Sequence, residues 1–120
     1  MPDQEDVRRI AMALPEVVEA AEGFAFSVPD RKGKPRGFVW VWQERLQPKK
    51  PRVPNPTVLA VRVTGPEEKA MLLSIDETKF FTEPHYNGFP AILVNLPAVE
   101  LWELEDLITN AWRCMAPKSL

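Results

Sequence analysis

Residues 37–43, GFVWVWQ, set the strongest constraint on how this chain folds. Alternate side chains of a strand point to opposite faces, so Phe38, Trp40 and Trp42 are expected on one face and Val39 and Val41 on the other. A strand apolar on both faces must be covered on both, which places it inside a sheet. The residues that follow sharpen the picture. Residues 45–56, RLQPKKPRVPNP, hold four of the thirteen prolines and exclude regular helix and central strand, because proline lacks the N–H that either ladder needs. They are expected to form a projecting, hairpin-like loop. It leads into TVLAVRV, a second strand by its β-branched content, with Arg62 its odd polar residue.

The remaining elements follow from periodicity. Val7, Ile10, Ala11 and Leu14 recur at helical spacing between Asp3, a plausible N-cap, and Pro15, predicting a short amphipathic helix. In VVEAAEGFAFSV, Gly23 divides two extended pieces as a hairpin or bulge, and DRKGKPRG is a turn. Pro66, Glu67 and Glu68 open a short helix to about Leu73, since proline suits the first turn and acids favour the positive end of the dipole. AILVNL is a further strand. Leu101, Leu104, Ile108, Ala111 and Met115, widened by Leu107 and Trp112, form a closing helix ended by Pro117. Grouped strands between terminal helices indicate an α+β fold: a single antiparallel β-sheet with the N- and C-terminal helices packed on one face, one domain over residues 1–120.

The charges are segregated. Arg31, Lys32, Lys34, Arg36, Arg45, Lys49, Lys50 and Arg52 stand against Glu44 alone, a net plus seven, while the rest of the chain carries seven bases and sixteen acids, a net minus nine. Such a local positive field attracts phosphates even in a chain whose net charge is −2. No apolar run approaches the ~20 residues that span a bilayer, and the polar start MPDQEDVRR resembles neither a signal nor a transit peptide, so no membrane partner is expected. The single cysteine, Cys114, excludes an internal disulfide and suits the reducing cytoplasm.

Catalytic patterns are missing. The five glycines form no dinucleotide fingerprint or P-loop, and no serine sits in G-x-S-x-G. One histidine and one cysteine cannot supply a zinc cluster, and Cys114, beside an apolar stripe, reads as an inert thiol rather than a nucleophile paired with His85. Asp3, Glu5, Asp6, Glu16, Glu19 and Glu22 read as a solvated face, and Glu100, Glu103, Glu105 and Asp106 as the acidic start of the last helix. No enzyme activity, metal or cofactor is expected.

The segment FFTEPHYNGFPAILVNL, residues 80–96, contains the only histidine and the only tyrosine. Pro84 and Pro90 bracket His85 and Tyr86, and Asn87 and Gly88 have turn chemistry, so the segment reads first as a structural turn. The functional alternative is a pocket in which His85, Tyr86 and Asn87, with Trp112 and Arg113, contact a small molecule, a nucleotide base or a protein partner.

The same segment carries a resemblance. Phe81, Thr82, Pro84, His85, Tyr86, Gly88 and Leu96, followed by Ala111, Trp112, Arg113, Ala116, Pro117 and Lys118, are similar to the C-terminal half of the MmcQ/YjbR family of small bacterial proteins. Leu14, Pro15 and Glu16 fit its N-terminal pattern. The resemblance implies a CyaY/frataxin-like sheet with the terminal helices on one face, and a non-enzymatic DNA-binding protein using a double wing of hairpins. The chain departs from the family in its long, proline-rich and basic 45–56 segment, where members often have an acidic or polar stretch. On that reading the eight bases between Arg31 and Arg52 contact DNA phosphates, and Arg36, Arg45 or Arg52 would read guanine if any base is read.

Overall fold

The computed structural model describes residues 2–44 and 51–117, with the side chain of His85 outside the described set. Helix α1 (Gln4–Met12) starts where expected because Asp3 and Asp6 form a reciprocal capping box, each carboxylate accepting the other's backbone N–H. Strands β1 (Val18–Glu19) and β2 (Ala25–Pro29) form a hairpin around Gly23, whose φ of 77° is open to glycine without strain. Strands β3 (Pro35–Glu44) and β4 (Val53–Arg62) follow, then α2 (Pro66–Ile75), β5 (Phe80–Phe81), β6 (Ala91–Asn95) and α3 (Leu101–Met115).

These strands make one six-stranded antiparallel sheet in the order β1-β2-β3-β4-β6-β5. β3 is interior, as its two apolar faces require. The main core lies on the helical face, where Val7, Ile10 and Ala11 of α1 and Leu104, Ile108, Ala111, Trp112 and Met115 of α3 meet Phe26, Val28, Val39, Leu59, Val61, Ile92 and Val94 of the sheet. Each large apolar side chain fully buried there contributes about 1.5–3 kcal/mol. α3 lies over β3 and β4, and α1 packs on α3.

The alternation expected along β3 breaks at Phe38. Phe26 and Ser27 are consecutive on β2 but pair with Val39 and Gly37, so Phe38 is the extra residue of a β-bulge. The bulge lets Phe38 join Val39 in the main core, while Trp40 and Trp42 pack in a second cluster with Val58, Ala60, Tyr86, Ala91, Leu93 and Phe81. A second irregularity lies opposite, where Val41 and Trp42 pair with Leu59 and Asn55.

Two further expectations are corrected. Val53 to Pro56, expected in the loop, belong to β4. Proline is tolerated there because β6 pairs only with Val58–Arg62, so the outer half of β4 has one neighbour and a free edge. Leu101, expected on the buried stripe of α3, is exposed as the first residue of the helix and lines a surface cleft with Pro2 and Asp6. The two-residue strand β5 was too short to show as a periodic pattern.

Candidate functional site

The described half of the basic region is the β2–β3 turn. Asp30 and Lys34 close it with a backbone N–H···O bond of 2.8 Å, and Gly33 occupies the left-handed position at φ 81°. The Asp30 carboxylate is turned into the loop, where Oδ1 accepts from the backbone N–H of Lys34 at 2.9 Å and of Lys32 at 2.8 Å. These backbone donors, Lys34 first, hold its carboxyl below the usual range, helped by the charges of Arg36 and Lys34. The one acid of the turn is thus held by the backbone, against a net positive turn. Arg31, Lys32, Lys34 and Arg36 are all exposed, and among the described residues none of them forms an ion pair.

The β3–β4 hairpin stays paired out to Glu44 and Val53. Arg45, Lys49 and Lys50 lie outside the described residues. Arg52 is half-buried, and its guanidinium donates to the Gln43 carbonyl at 2.9 Å, stitching the hairpin rather than projecting from it. The β2–β3 turn and the Glu44–Val53 pair are separated by the ten residues of β3, roughly 30 Å at the rise of a strand.

The His85–Tyr86 segment is a 3₁₀ turn over Pro84–Tyr86, followed by Gly88 at φ 79°. Tyr86 is buried against the sheet face opposite the helices, and its hydroxyl accepts from Trp40 Nε1 at 3.1 Å. Lys69 of α2 holds the turn from the other side. Its buried Nζ donates to the carbonyls of Tyr86 and, at 2.9 Å, of Phe89. Burial pulls the Lys69 ammonium below its ordinary pKa. Lys69 also lines a small cavity of about 230 Å³ with Pro66, Ala70, Leu73, Gly88, Phe89 and Pro90.

Of the residues named for the alternative pocket, Tyr86 and Trp112 lie on opposite faces of the sheet. Trp112 belongs to the main core, with Nε1 donating to the Pro15 carbonyl at 3.0 Å, whereas Tyr86 sits in the second cluster. Arg113 is exposed beside Thr64, Glu68, Asn110 and Cys114. Asn87 is exposed on the turn. The sheet separates the two sets because Tyr86 rides on a turn packed beneath the strands while α3 covers them from above. Cys114 is half-buried; burial, then the nearby Glu68 carboxylate, raises its thiol pKa. Among the described residues no group of three metal-ligating side chains occurs, and no helix is long and apolar enough to cross a membrane.

Sequence reasoning missed Lys69. The available signal was its place near the start of a helix, where the dipole disfavours a cation that has no acceptor of its own. Another unforeseen feature is that, among the described residues, Trp42 Nε1 and Glu83 Oε1 are buried without a hydrogen-bond partner.

Comparison with known proteins agrees with this architecture. The crystal structure of Deinococcus radiodurans protein DR2400, a DUF419 domain, superposes with a TM-score of 0.69 over 93% of this chain and 77% of that one. The two are 20% identical, so the likeness defines the class of fold: a six-stranded antiparallel α+β sheet with helices at both ends. No family model matches the chain. At the level of sequence, the uncharacterized proteins Rv2570 and MT2646 of Mycobacterium tuberculosis and Mb2600 of Mycobacterium bovis are each 34% identical over 128 aligned residues, covering 100% of this chain and 93% of theirs. The chain belongs to the family of these mycobacterial proteins.

Proposed function

We propose that the chain is a cytoplasmic, non-enzymatic nucleic-acid-binding protein of the MmcQ/YjbR type that grips duplex phosphates with the basic ends of its two central hairpins. The observation that carries this reading is the β2–β3 turn, where Asp30 is bonded to the backbone and four exposed cations stand without an ion pair among the described residues. Cations so arranged neutralise phosphates and release counterions, which gives affinity with steep salt dependence and little sequence preference. The α+β architecture shared with the DUF419 structure is compatible with the family resemblance, and β2–β3 and β3–β4 are adjacent antiparallel hairpins.

Fluorescence anisotropy of a labelled duplex, titrated from low to near-physiological salt, tests the proposal. Neutralising Arg31, Lys32, Lys34 and Arg36 to glutamine should lower the magnitude of the log K against log salt slope by roughly one for each phosphate that the variant leaves to its counterions. Absence of saturable binding at low salt would overturn the reading.

The second reading, a small-ligand or protein-partner site, is favoured by the buried, unpartnered Nε1 of Trp42 in the second cluster. A bound molecule offering an acceptor would satisfy it. Quenching or shift of tryptophan emission by a ligand, abolished in Trp42→Phe, would support it.

A further inference from the structure

Among the described residues, three of the eight large apolar side chains that stand exposed gather in one place. Met71 and Ile75, one turn apart on α2, are 53% and 57% exposed, and Trp102 across from them on α3 is 64% exposed. All three line one groove of about 210 Å³ between the two helices, floored by Leu72, Phe80 and Leu107. An exposed tryptophan beside two exposed aliphatic side chains offers a contact point for a partner, because tryptophan concentrates interface energy when it is desolvated.

The rim of the groove selects its occupant by charge. Its ionisable residues are Glu68, Glu103 and Asp106, all acidic. Glu103 is paired with Lys79 at 2.9 Å, while Glu68 accepts from the Thr64 hydroxyl and amide, which hold the carboxylate in place without cancelling its charge. Asp106 is exposed and, among the described residues, makes no ion pair. An anionic membrane or a nucleic acid is repelled by such a rim, and a second copy docked by two-fold symmetry would set like charges against each other. The ten residues of α2 give the groove a length of roughly 15 Å, two to three turns of helix.

From this chemistry we infer that the α2–α3 groove docks a basic amphipathic helix of another protein, with apolar residues one turn apart set on Trp102, Met71 and Ile75 and with lysine or arginine facing Glu68 and Asp106. The groove shares no lining residue with the β2–β3 turn.

The test is calorimetric titration of the full chain with a ~18-residue leucine/lysine peptide patterned as an amphipathic helix. The same residues scrambled out of helical register, and a leucine/glutamate helix, serve as controls. The expected result is saturable one-to-one binding of the leucine/lysine helix alone, weakened on the order of tenfold or more by Trp102→Ala or by Ile75→Glu and unaffected by Arg36→Gln. Both substitutions fall on exposed side chains, so the fold is retained. Equal binding of the scrambled peptide, or wild-type affinity in both variants, overturns the inference. So does a concentration-dependent dimer that Trp102→Ala abolishes, since the groove would then belong to a second copy.

Discussion

A lysine near the start of a helix faces the positive end of the dipole, so Lys69 needs a reason to sit where it does. The reason is the turn it holds: two backbone carbonyls, of Tyr86 and Phe89, converge on its Nζ. Lys69→Met keeps the length of the side chain and removes the donor, while each carbonyl keeps one backbone N–H, Tyr86 that of Phe89 and Phe89 that of Ala91. The expected loss is about 0.5–1.5 kcal/mol, read as a lowered midpoint in urea unfolding, and an unchanged midpoint would deny the clasp. Asp30 makes a prediction in pH. Its folded carboxyl is held below the ordinary value, chiefly by the Lys34 N–H, so its contribution to the turn is complete above the unfolded pKa and disappears as pH falls through the folded one. Amide shifts of Lys32 and Lys34 should titrate together with a midpoint below 3.8, and Asp30→Ala should abolish that titration. A midpoint at or above 3.8 would show that the carboxylate does not hold the loop.

Among the elements, β3 is joined to the turn beneath it by the Trp40–Tyr86 hydrogen bond, which ties a strand to a segment forty-six residues away in sequence. A double-mutant cycle of Trp40→Phe and Tyr86→Phe should return a coupling of about 0.5–1.5 kcal/mol; no coupling would mean the two rings only share packing. The same strand shows how far periodicity reaches. Alternation placed Trp40 and Trp42 together and predicted an interior strand, and both hold. It also placed Phe38 with the tryptophans, and the bulge overturned that, because an extra residue in one strand shifts every side chain before it by one face. Likewise, Pro54 and Pro56 read as loop residues, since nothing in sequence tells that the outer half of β4 lacks a second neighbour.

At the scale of the molecule, the β2–β3 turn and the Glu44–Val53 pair of the β3–β4 hairpin lie at opposite ends of β3, roughly 30 Å apart by strand rise, in a body 40 × 31 × 29 Å across. That span matches about nine base pairs at the 3.4 Å spacing of duplex DNA. If both ends grip one duplex, affinity should climb as the oligonucleotide lengthens past about nine base pairs, and the climb should vanish when either end is neutralised. Affinity indifferent to length across that range, with binding retained, would mean that a single end carries the contact.

What the sequence by itself determined was whatever depends on neighbours along the chain: the helix starts at Asp3 and Pro66, the β2–β3 turn chemistry, the two-sided burial of β3, and the segregation of charge. The α+β class with terminal helices on one face followed from the order of those elements. Only the tertiary structure decided which distant residues meet. It placed Trp112 in the main core and Tyr86 in the second cluster, brought Lys69 to a turn seventeen residues ahead of it, and opened the groove between Met71, Ile75 and Trp102. These pairings depend on strand order, bulges and the packing of helices on one face. Each is fixed by contacts between segments far apart in sequence, and no local pattern records them.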